Sequence, residues 1–227
     1  MDIWQQLSTI VASELLPSIL ARSASIIPIM DRHDDPQFIY PGDHTAAMQL
    51  ALAQATLAPP MPSNFSVGAV IVHSASGRIV ATGHTFELPG NTHAEECCLI
   101  KLARALLPGT NIVSPGTTAT TSGEAPDTDT ARAAMLSKLS SVLTDPHTLY
   151  TTMEPCVRRL SGRKACLDRV LEQKTWLDTV CYGYREPSTF IQTNDGLDAL
   201  RREGITVVHV SGLEDEILRV AIAGHQN

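Results

Sequence analysis

The chain has 227 residues, enough for one domain and marginal for two. Its 43% hydrophobic and 18% charged content is that of a globular protein able to fold on its own core. A formal charge of −7 sets the field against nucleic acid, and no run of eighteen apolar residues offers a membrane span, so neither partner is expected. The five cysteines, Cys97, Cys98, Cys156, Cys166 and Cys181, are odd in number, and the first residues carry acids where a secretory signal would carry bases. They read as reduced thiols in a cytoplasmic setting, where a cysteine serves as core residue, metal ligand or nucleophile.

Apolar residues at Trp4, Leu7, Val11 and Leu15 predict an amphipathic helix over 3–20, packed on the domain or on a partner subunit. A mitochondrial presequence is disfavoured, because Asp2 and Glu14 precede the first arginine, Arg22. Residues 30–43 are polar and turn-rich and read as a linker or loop. Residues 1–42 are therefore assigned to an N-terminal extension and 43–227 to the main domain.

Asp43 is the predicted cap of a helix over 44–57, with Met48, Leu52 and Ala55 on one face and Pro59, Pro60 and Pro62 ending it. The β-branched run 67–72, the turn residue Gly77 and the stretch 79–82 predict a hairpin. A helix over 95–106 would turn Cys98, Leu99, Leu102 and Leu106 inward. Residues 108–130 hold almost no large apolar side chain and read as a mobile surface insertion. Beyond it the pattern predicts a helix over 131–143, a strand over 149–153, a helix over 166–172 and a strand over 179–184. A helix over 197–203, a strand over 205–210 and a helix over 213–223 complete the chain. The opening hairpin is antiparallel and the later alternation of strand and helix argues for parallel pairing. A five-stranded mixed sheet with helices on both faces, an α/β architecture, satisfies both.

Two segments stand out chemically: Asn91-Thr92-His93-Ala94-Glu95, and Met153-Glu154-Pro155-Cys156 followed by Cys166. Each leads into a predicted helix. Zinc favours imidazole nitrogen and thiolate sulfur, and a catalytic site has three protein ligands plus water. His93, Cys156 and Cys166 are such a set, and helix starts favour anionic thiolates. Zinc in such a site brings the pKa of bound water to about 7. Glu95, two residues after the histidine, would reach that water without ligating the metal and move protons from water to a ring nitrogen and then to a departing amine. The nucleobase deaminase signature is H-x-E with P-C-x-x-C; this chain keeps H-x-E and P-C but has nine residues between its cysteines. Taken singly, His93 is as readily a helix-start residue, and Cys156 and Cys166 as readily buried thiols. What argues against that reading is the coincidence of HAE, EPC and a second cysteine in this order. Cys97, Cys98 and Cys181 read as core thiols.

The strings GNTHAEECCL and TTMEPCVRRLSGRKAC resemble the fungal-type deaminases of riboflavin biosynthesis, within the cytidine deaminase-like superfamily. The long RLSG-containing interval between the cysteines points to the fungal branch, and NFSVGAVIV with Asn64 resembles the superfamily's first strand. Similarity runs over about residues 43–210, outside the first forty residues and the 108–130 insertion. Ala165 departs from a proline often found before the second cysteine. The resemblance implies a three-layer α/β/α cytidine deaminase-like fold, a homodimer and a zinc-dependent hydrolase acting on a cyclic amidine. The implied substrate is 2,5-diamino-6-ribitylamino-4(3H)-pyrimidinone 5′-phosphate, converted to the pyrimidinedione with release of ammonia.

A phosphorylated substrate needs positive charge. Arg158, Arg159, Arg163 and Lys164 crowd the loop between the zinc cysteines, and guanidinium forks suit phosphate. Alternatively the loop is solvated or pairs with Glu154 and Asp168. Ser161 and Gly162 would add hydroxyl and backbone donors. Asn64 suits a pyrimidine or ribityl contact, because an amide both donates and accepts; otherwise it is a turn residue. Glu87 and Asn91 are further candidates, the Ala94 backbone is one by analogy with similar enzymes, and Glu154 would hold substrate or orient Cys156. Two other functions stay open: a deaminase of cytidine, guanine or tRNA adenosine, and a non-catalytic structural zinc domain. A structural site closes with a fourth protein ligand, for which Cys97 or His84 would be needed.

Overall fold

Asp43 opens the first helix as expected: its carboxylate accepts the Ala46 N–H at 2.9 Å at the start of α1, His44–Ala55. A computed structural model describes residues 37–107, 129–185 and 195–225. The helix expected over 3–20 and the insertion expected over 108–130, apart from its last two residues, lie outside the described residues. Residues 37–39, read as linker or loop, run beside the hairpin turn. There the Ile39 N–H donates to Gly77 O at 2.9 Å and the Ile79 N–H to Gln37 O at 2.8 Å.

The remaining elements follow in chain order: β1 Gly68–His73, β2 Ile79–His84, α2 Ala94–Leu106, α3 Asp129–Leu136 and a 3-10 turn Leu139–Ser141. Then come β3 His147–Met153, α4 Cys166–Leu171, β4 Leu177–Tyr184, α5 Gly196–Arg202, β5 Thr206–His209 and α6 Glu214–Ala221. The five strands lie in the order β2-β1-β3-β4-β5. β1 is antiparallel to both neighbours, and β3, β4 and β5 are parallel. This is the mixed sheet expected from the pattern.

Alternation along the strands sorts side chains onto two faces. Ile71, Leu149 and Val180 are laterally paired and face a core closed by α2, α3, α4 and α5. Val70, Tyr150 and Cys181 are paired one residue over and face α1 and α6. The result is the three-layer α/β/α arrangement of a cytidine deaminase-like fold. β1 and β3 are buried almost throughout, as central strands covered on both sides must be.

One expected helix is divided. The span 131–143 resolves into α3 and a separate 3-10 turn. Ser137 Oγ donates back to Ala134 O at 3.0 Å and Ser141 Oγ to Lys138 O at 2.7 Å, local bonds that compete with a continuous helix. β3 starts earlier than expected, at a buried His147 whose N–H donates to Trp176 O at 2.8 Å.

The register gathers three connections at one end of the sheet. Ala69 pairs with Thr151 and Gly68 with His84, so the entry to β1, the exit of β2 and the exit of β3 are neighbours. The exit of β4 joins them, because the Glu154 N–H donates to Tyr184 O at 2.9 Å. Crevices outside the carboxyl ends of parallel strands are where α/β sheets bind ligands.

Helix α2 reaches this end by lying close against β2, at Gly83. A Cβ there would stand 2.5 Å from Ala94 O and 2.9 Å from Cys98 N, both backbone atoms. Gly83→Ala should therefore destabilise the protein by about 1–3 kcal/mol through overpacking. Thermal melting checks this, with a midpoint lowered by about 2–4 °C per kcal/mol; an unchanged midpoint would contradict so tight a contact.

Candidate metal centre and active site

His93 occupies the cap position of α2 with extended backbone, φ −91° and ψ 162°, which turns its ring out of the helix toward the sheet end. Cys156 follows the Glu154-Pro155 exit from β3, and Cys166 is the first residue of α4. The two cysteine segments are tied together: the Leu167 N–H donates to Cys156 O at 3.1 Å and the Cys166 N–H to Cys156 Sγ at 3.5 Å. Each sulfur lies 3.5 Å from His93 Nδ1, and the three atoms fall within 4.8 Å of one another.

These separations fit zinc. Zn–S near 2.3 Å and Zn–N near 2.05 Å at a tetrahedral angle put nitrogen and sulfur about 3.6 Å apart. Among the described residues this is the one grouping of three or more His, Cys, Asp or Glu that could hold a metal. His84 and Cys97, weighed as fourth ligands, are not in it. His84 Nδ1 sits 3.7 Å from Glu87, and burial pushes the Cys97 thiol up to about 11. Cys98 donates to Ala69 O at 3.3 Å, and burial pushes Cys181 up to about 12. These three cysteines are buried protonated thiols, as expected for core residues.

The thiols at the centre are held differently. Hydrogen bonding from Cys166, opposed by burial and helped by His93, lowers Cys156 to about 4. The same contact, together with burial, pushes Cys166 well up. Two sulfurs and an imidazole nitrogen at these separations are a donor set suited to a divalent soft-to-borderline cation.

Glu95 lies in the first turn of α2, is 4% exposed, and stands 3.4 Å from Thr151 Oγ1, whose hydroxyl donates to Met153 O at 2.8 Å. Burial raises its carboxyl, and the charge of Cys156 adds to that. It lines a cavity of about 280 Å³ together with His93 and Cys156. A carboxylate and a three-ligand metal site thus share one opening, the arrangement needed to activate water and move its protons.

Of the expected substrate contacts, Asn64, Asn91, Glu154, Arg158, Arg159 and Ser161 line this cavity. Asn91 holds a left-handed backbone, φ 55°, and its buried Oδ1 has no hydrogen-bond partner, leaving a free acceptor at the site. The other three do not line it. Glu87 is turned toward Lys101, 2.5 Å away. Ala94 is fully buried, with its carbonyl against Gly83. Arg163 is engaged by Asp129 at 3.0 Å and by Gly90 O.

Arg159 reaches the cavity edge but is buried, pairing with Glu96 at 2.8 Å and donating to Asn91 O. Arg158 and Ser161 are exposed at the rim. Lys164 pairs with Glu172. Phe65 and Thr85, not expected as contacts, also line the cavity, as does Met153 at the head of the cysteine segment. The only signal of the first two was position, since each flanks the sheet end where strands enter or leave. Glu96, Arg132 and Arg169, an ion-pair cluster behind the metal loops, were missed as well.

A model of the cytidine and deoxycytidylate deaminase zinc-binding region matches residues 41–183. The diaminohydroxyphosphoribosylamino-pyrimidine deaminase of Schizosaccharomyces pombe is 36% identical over 185 residues. That match covers 82% of this chain but only 36% of that protein, so the chain spans about a third of its curated relative. The Rib2 deaminase of Aspergillus oryzae, as a C-terminal deletion mutant, is 33% identical with a TM-score of 0.62, covering 81% of this chain and 93% of the other. The same protein in complex with DARIPP superimposes with a TM-score of 0.62, 33% identity, and coverage of 81% and 92%. A Thermotoga maritima diaminohydroxyphosphoribosylaminopyrimidine deaminase/5-amino-6-(5-phosphoribosylamino)uracil reductase, 24% identical with a TM-score of 0.50, shares the fold over 80% of this chain and 40% of its own.

Cys166→Ala should purify without stoichiometric zinc, whereas Cys181→Ala should retain it. Elemental analysis of the two variants checks this; equal zinc in both would remove Cys166 from the ligand set.

Proposed function

We propose that this chain, which belongs to the cytidine and deoxycytidylate deaminase zinc-binding family, hydrolytically deaminates 2,5-diamino-6-ribitylamino-4(3H)-pyrimidinone 5′-phosphate in riboflavin biosynthesis. The observation behind the reading is the buried Glu95, which lines one cavity with His93 and Cys156, two members of the His93, Cys156 and Cys166 donor set. The names borne by the Schizosaccharomyces and Aspergillus relatives, one of them solved with DARIPP, support the choice of substrate.

His93, Cys156 and Cys166 would hold zinc, which as a Lewis acid makes water nucleophilic near neutral pH. Glu95 takes a proton from the attacking water and delivers it to the ring nitrogen beside C2. As the C–N bond breaks, Glu95 takes the second proton from the hydroxyl now on C2 and passes it to the leaving amine, which departs as ammonia. The water oxygen remains on C2 as the new carbonyl. Burial of Glu95 keeps bulk water from competing for these transfers. Thr151 Oγ1, fixed by donating to Met153 O at 2.8 Å, stands 3.4 Å from Glu95 Oε1 and limits the rotation of the carboxylate.

The Oδ1 of Asn91 would accept from an N–H of the pyrimidine, and Asn64 and Glu154 line the same cavity wall. With Arg159 and Arg163 engaged by carboxylates, phosphate recognition falls to Arg158 with the Ser161 hydroxyl at the rim. A cytoplasmic homodimer with no nucleic-acid or membrane partner completes the reading, along with residues 1–42 as an extension and 108–130 as a surface insertion. The charge of −7 disfavours nucleic acid, and among the described residues no helix is long and apolar enough to cross a membrane.

Ammonia release from zinc-loaded protein tests the assignment, with the ribitylaminopyrimidinone offered with and without its 5′-phosphate, and cytidine as the third substrate. Preference for the phosphorylated form is expected. Turnover of cytidine alone would keep the chemistry and discard the substrate, and no turnover of any would favour a structural zinc domain. Glu95→Gln should keep zinc and lose about 10²–10⁴-fold in rate, read by the same assay with elemental analysis. Arg158→Ala should raise KM for the phosphorylated substrate about tenfold or more, as loss of a charge-assisted bond predicts, and leave KM for the unphosphorylated form unchanged. An equal effect on both would move phosphate recognition elsewhere.

A further inference from the structure

Glu96 follows the proposed proton carrier and faces away from the cavity. Its side chain is fully buried, yet it binds several guanidinium groups at once. Arg132 Nη1 donates to Oε1 at 2.8 Å, Arg159 Nη1 to Oε2 at 2.8 Å, and Arg169 Nη2 lies 3.2 Å from Oε1. Arg163 Nη2 stands 3.9 Å away. Burial pushes the Glu96 carboxyl up, but Arg169, Arg132 and Arg159 together overcome this and hold it below the usual carboxylate range.

Three of these arginines use their other N–H groups on three successive backbone carbonyls. Arg132 Nη2 donates to Pro89 O at 2.8 Å, Arg163 Nη1 to Gly90 O, and Arg159 Nη2 to Asn91 O. Those carbonyls belong to the turn before His93, where Gly90 and Asn91 both hold positive φ, 86° and 55°. Arg159 itself belongs to the segment between Cys156 and Cys166. One guanidinium therefore joins the histidine loop to the cysteine loop.

We infer that Glu96 and Arg159 are positioning residues that lock the turn bearing Asn91 and His93 against the loop bearing Cys156 and Cys166. The inference rests on the metal reading above for its consequence, though not for its geometry. Charge balance explains why the carbonyls are needed. Arg159, Arg163 and Arg169 share two carboxylates, Glu96 and Asp129, and the carbonyl dipoles that Arg159 and Arg163 reach add negative potential to them. Acceptors are still short: Arg159 Nε, Arg169 Nε and Arg169 Nη1 are buried without a partner. No spare acceptor is at hand to replace Glu96. A lysine cannot replace Arg159 either, since a single ammonium lacks the fork that reaches Glu96 and Asn91 O together.

The test compares wild type, Arg159→Lys and Arg163→Lys as full chains. Amide hydrogen exchange over residues 86–93, measured by mass spectrometry on the protein as purified, should be about tenfold faster or more in Arg159→Lys, as loss of a charge-assisted hydrogen bond predicts. Exchange in β4 should be unchanged. Arg163 is part-exposed, and its replacement by lysine loses the Gly90 tie and weakens the Asp129 pair while leaving Arg159 on Glu96 and Asn91 O, so it should show a smaller increase over the same segment and serves if Arg159→Lys fails to fold. Zinc release to a chelator should be about 10–100-fold faster in Arg159→Lys, and the visible bands of its cobalt-substituted form should shift. A merely structural arginine would lower the melting point and leave those bands alone. Wild-type exchange over 86–93 in both variants overturns the inference. Absence of zinc from the wild type would instead overturn the metal reading, with the exchange result still deciding the clamp.

Discussion

Two sulfurs and one nitrogen from residues 93, 156 and 166 must meet within 4.8 Å, and the rest of the chain is arranged around that meeting. The constraint cannot be met locally, because the histidine and the first cysteine are 63 positions apart in the chain. The sheet solves it. With β1 inserted antiparallel between β2 and β3, the exit of β2 and the exit of β3 fall side by side. The first exit leads to His93 at the start of α2, and the second leads through Pro155 to Cys156 and on to α4. Gly83 permits the close seating of α2, so packing in the sheet sets the position of a ligand.

Electrostatics divides the region into two compartments. On the cavity side stand the donor triad and Glu95, where burial raises the carboxyl. Behind the loops stands Glu96 among guanidinium groups, where an adjacent carboxyl is driven the opposite way. Two neighbouring glutamates with opposed environments are the pattern expected when one handles protons and the other holds structure. The division also reassigns the positive charge of the inter-cysteine loop. Arg159 and Arg163 are directed inward at carboxylates and carbonyls, and Arg158 stands at the rim. A chain with net charge −7 can in this way present a local site for an anion.

The sheet, the caps and the donor triad were legible in the sequence because each has a short-range signature. Asp43 precedes a helical pattern, Gly77 stands between the β-branched run 67–72 and the stretch 79–82, and H-x-E with P-C couples residue type to spacing. Glu96 had no such signature. It is one acid beside another in a helix, and its partners Arg132, Arg159 and Arg169 are brought to it only by the fold. Glu87, expected as a contact from its place in the loop before His93, and the Ala94 backbone, expected by analogy, do not line the cavity: Lys101 pairs with the first, and the second is buried at the start of α2. Asp129 fell in a stretch of low complexity, yet it accepts from Arg163, Arg169 and the Lys164 N–H. Composition describes a segment as a whole and is silent on the single residue within it that the core uses.

The central claim is an open three-ligand zinc centre facing Glu95. X-ray absorption at the zinc edge of the loaded wild-type protein tests it most directly, because sulfur and light-atom shells separate by distance. The account predicts two sulfurs at about 2.3 Å and two nitrogen or oxygen scatterers at about 2.0–2.1 Å, one of them an imidazole. A third sulfur in that shell would contradict it, since the site would then be closed by protein and have no place for water.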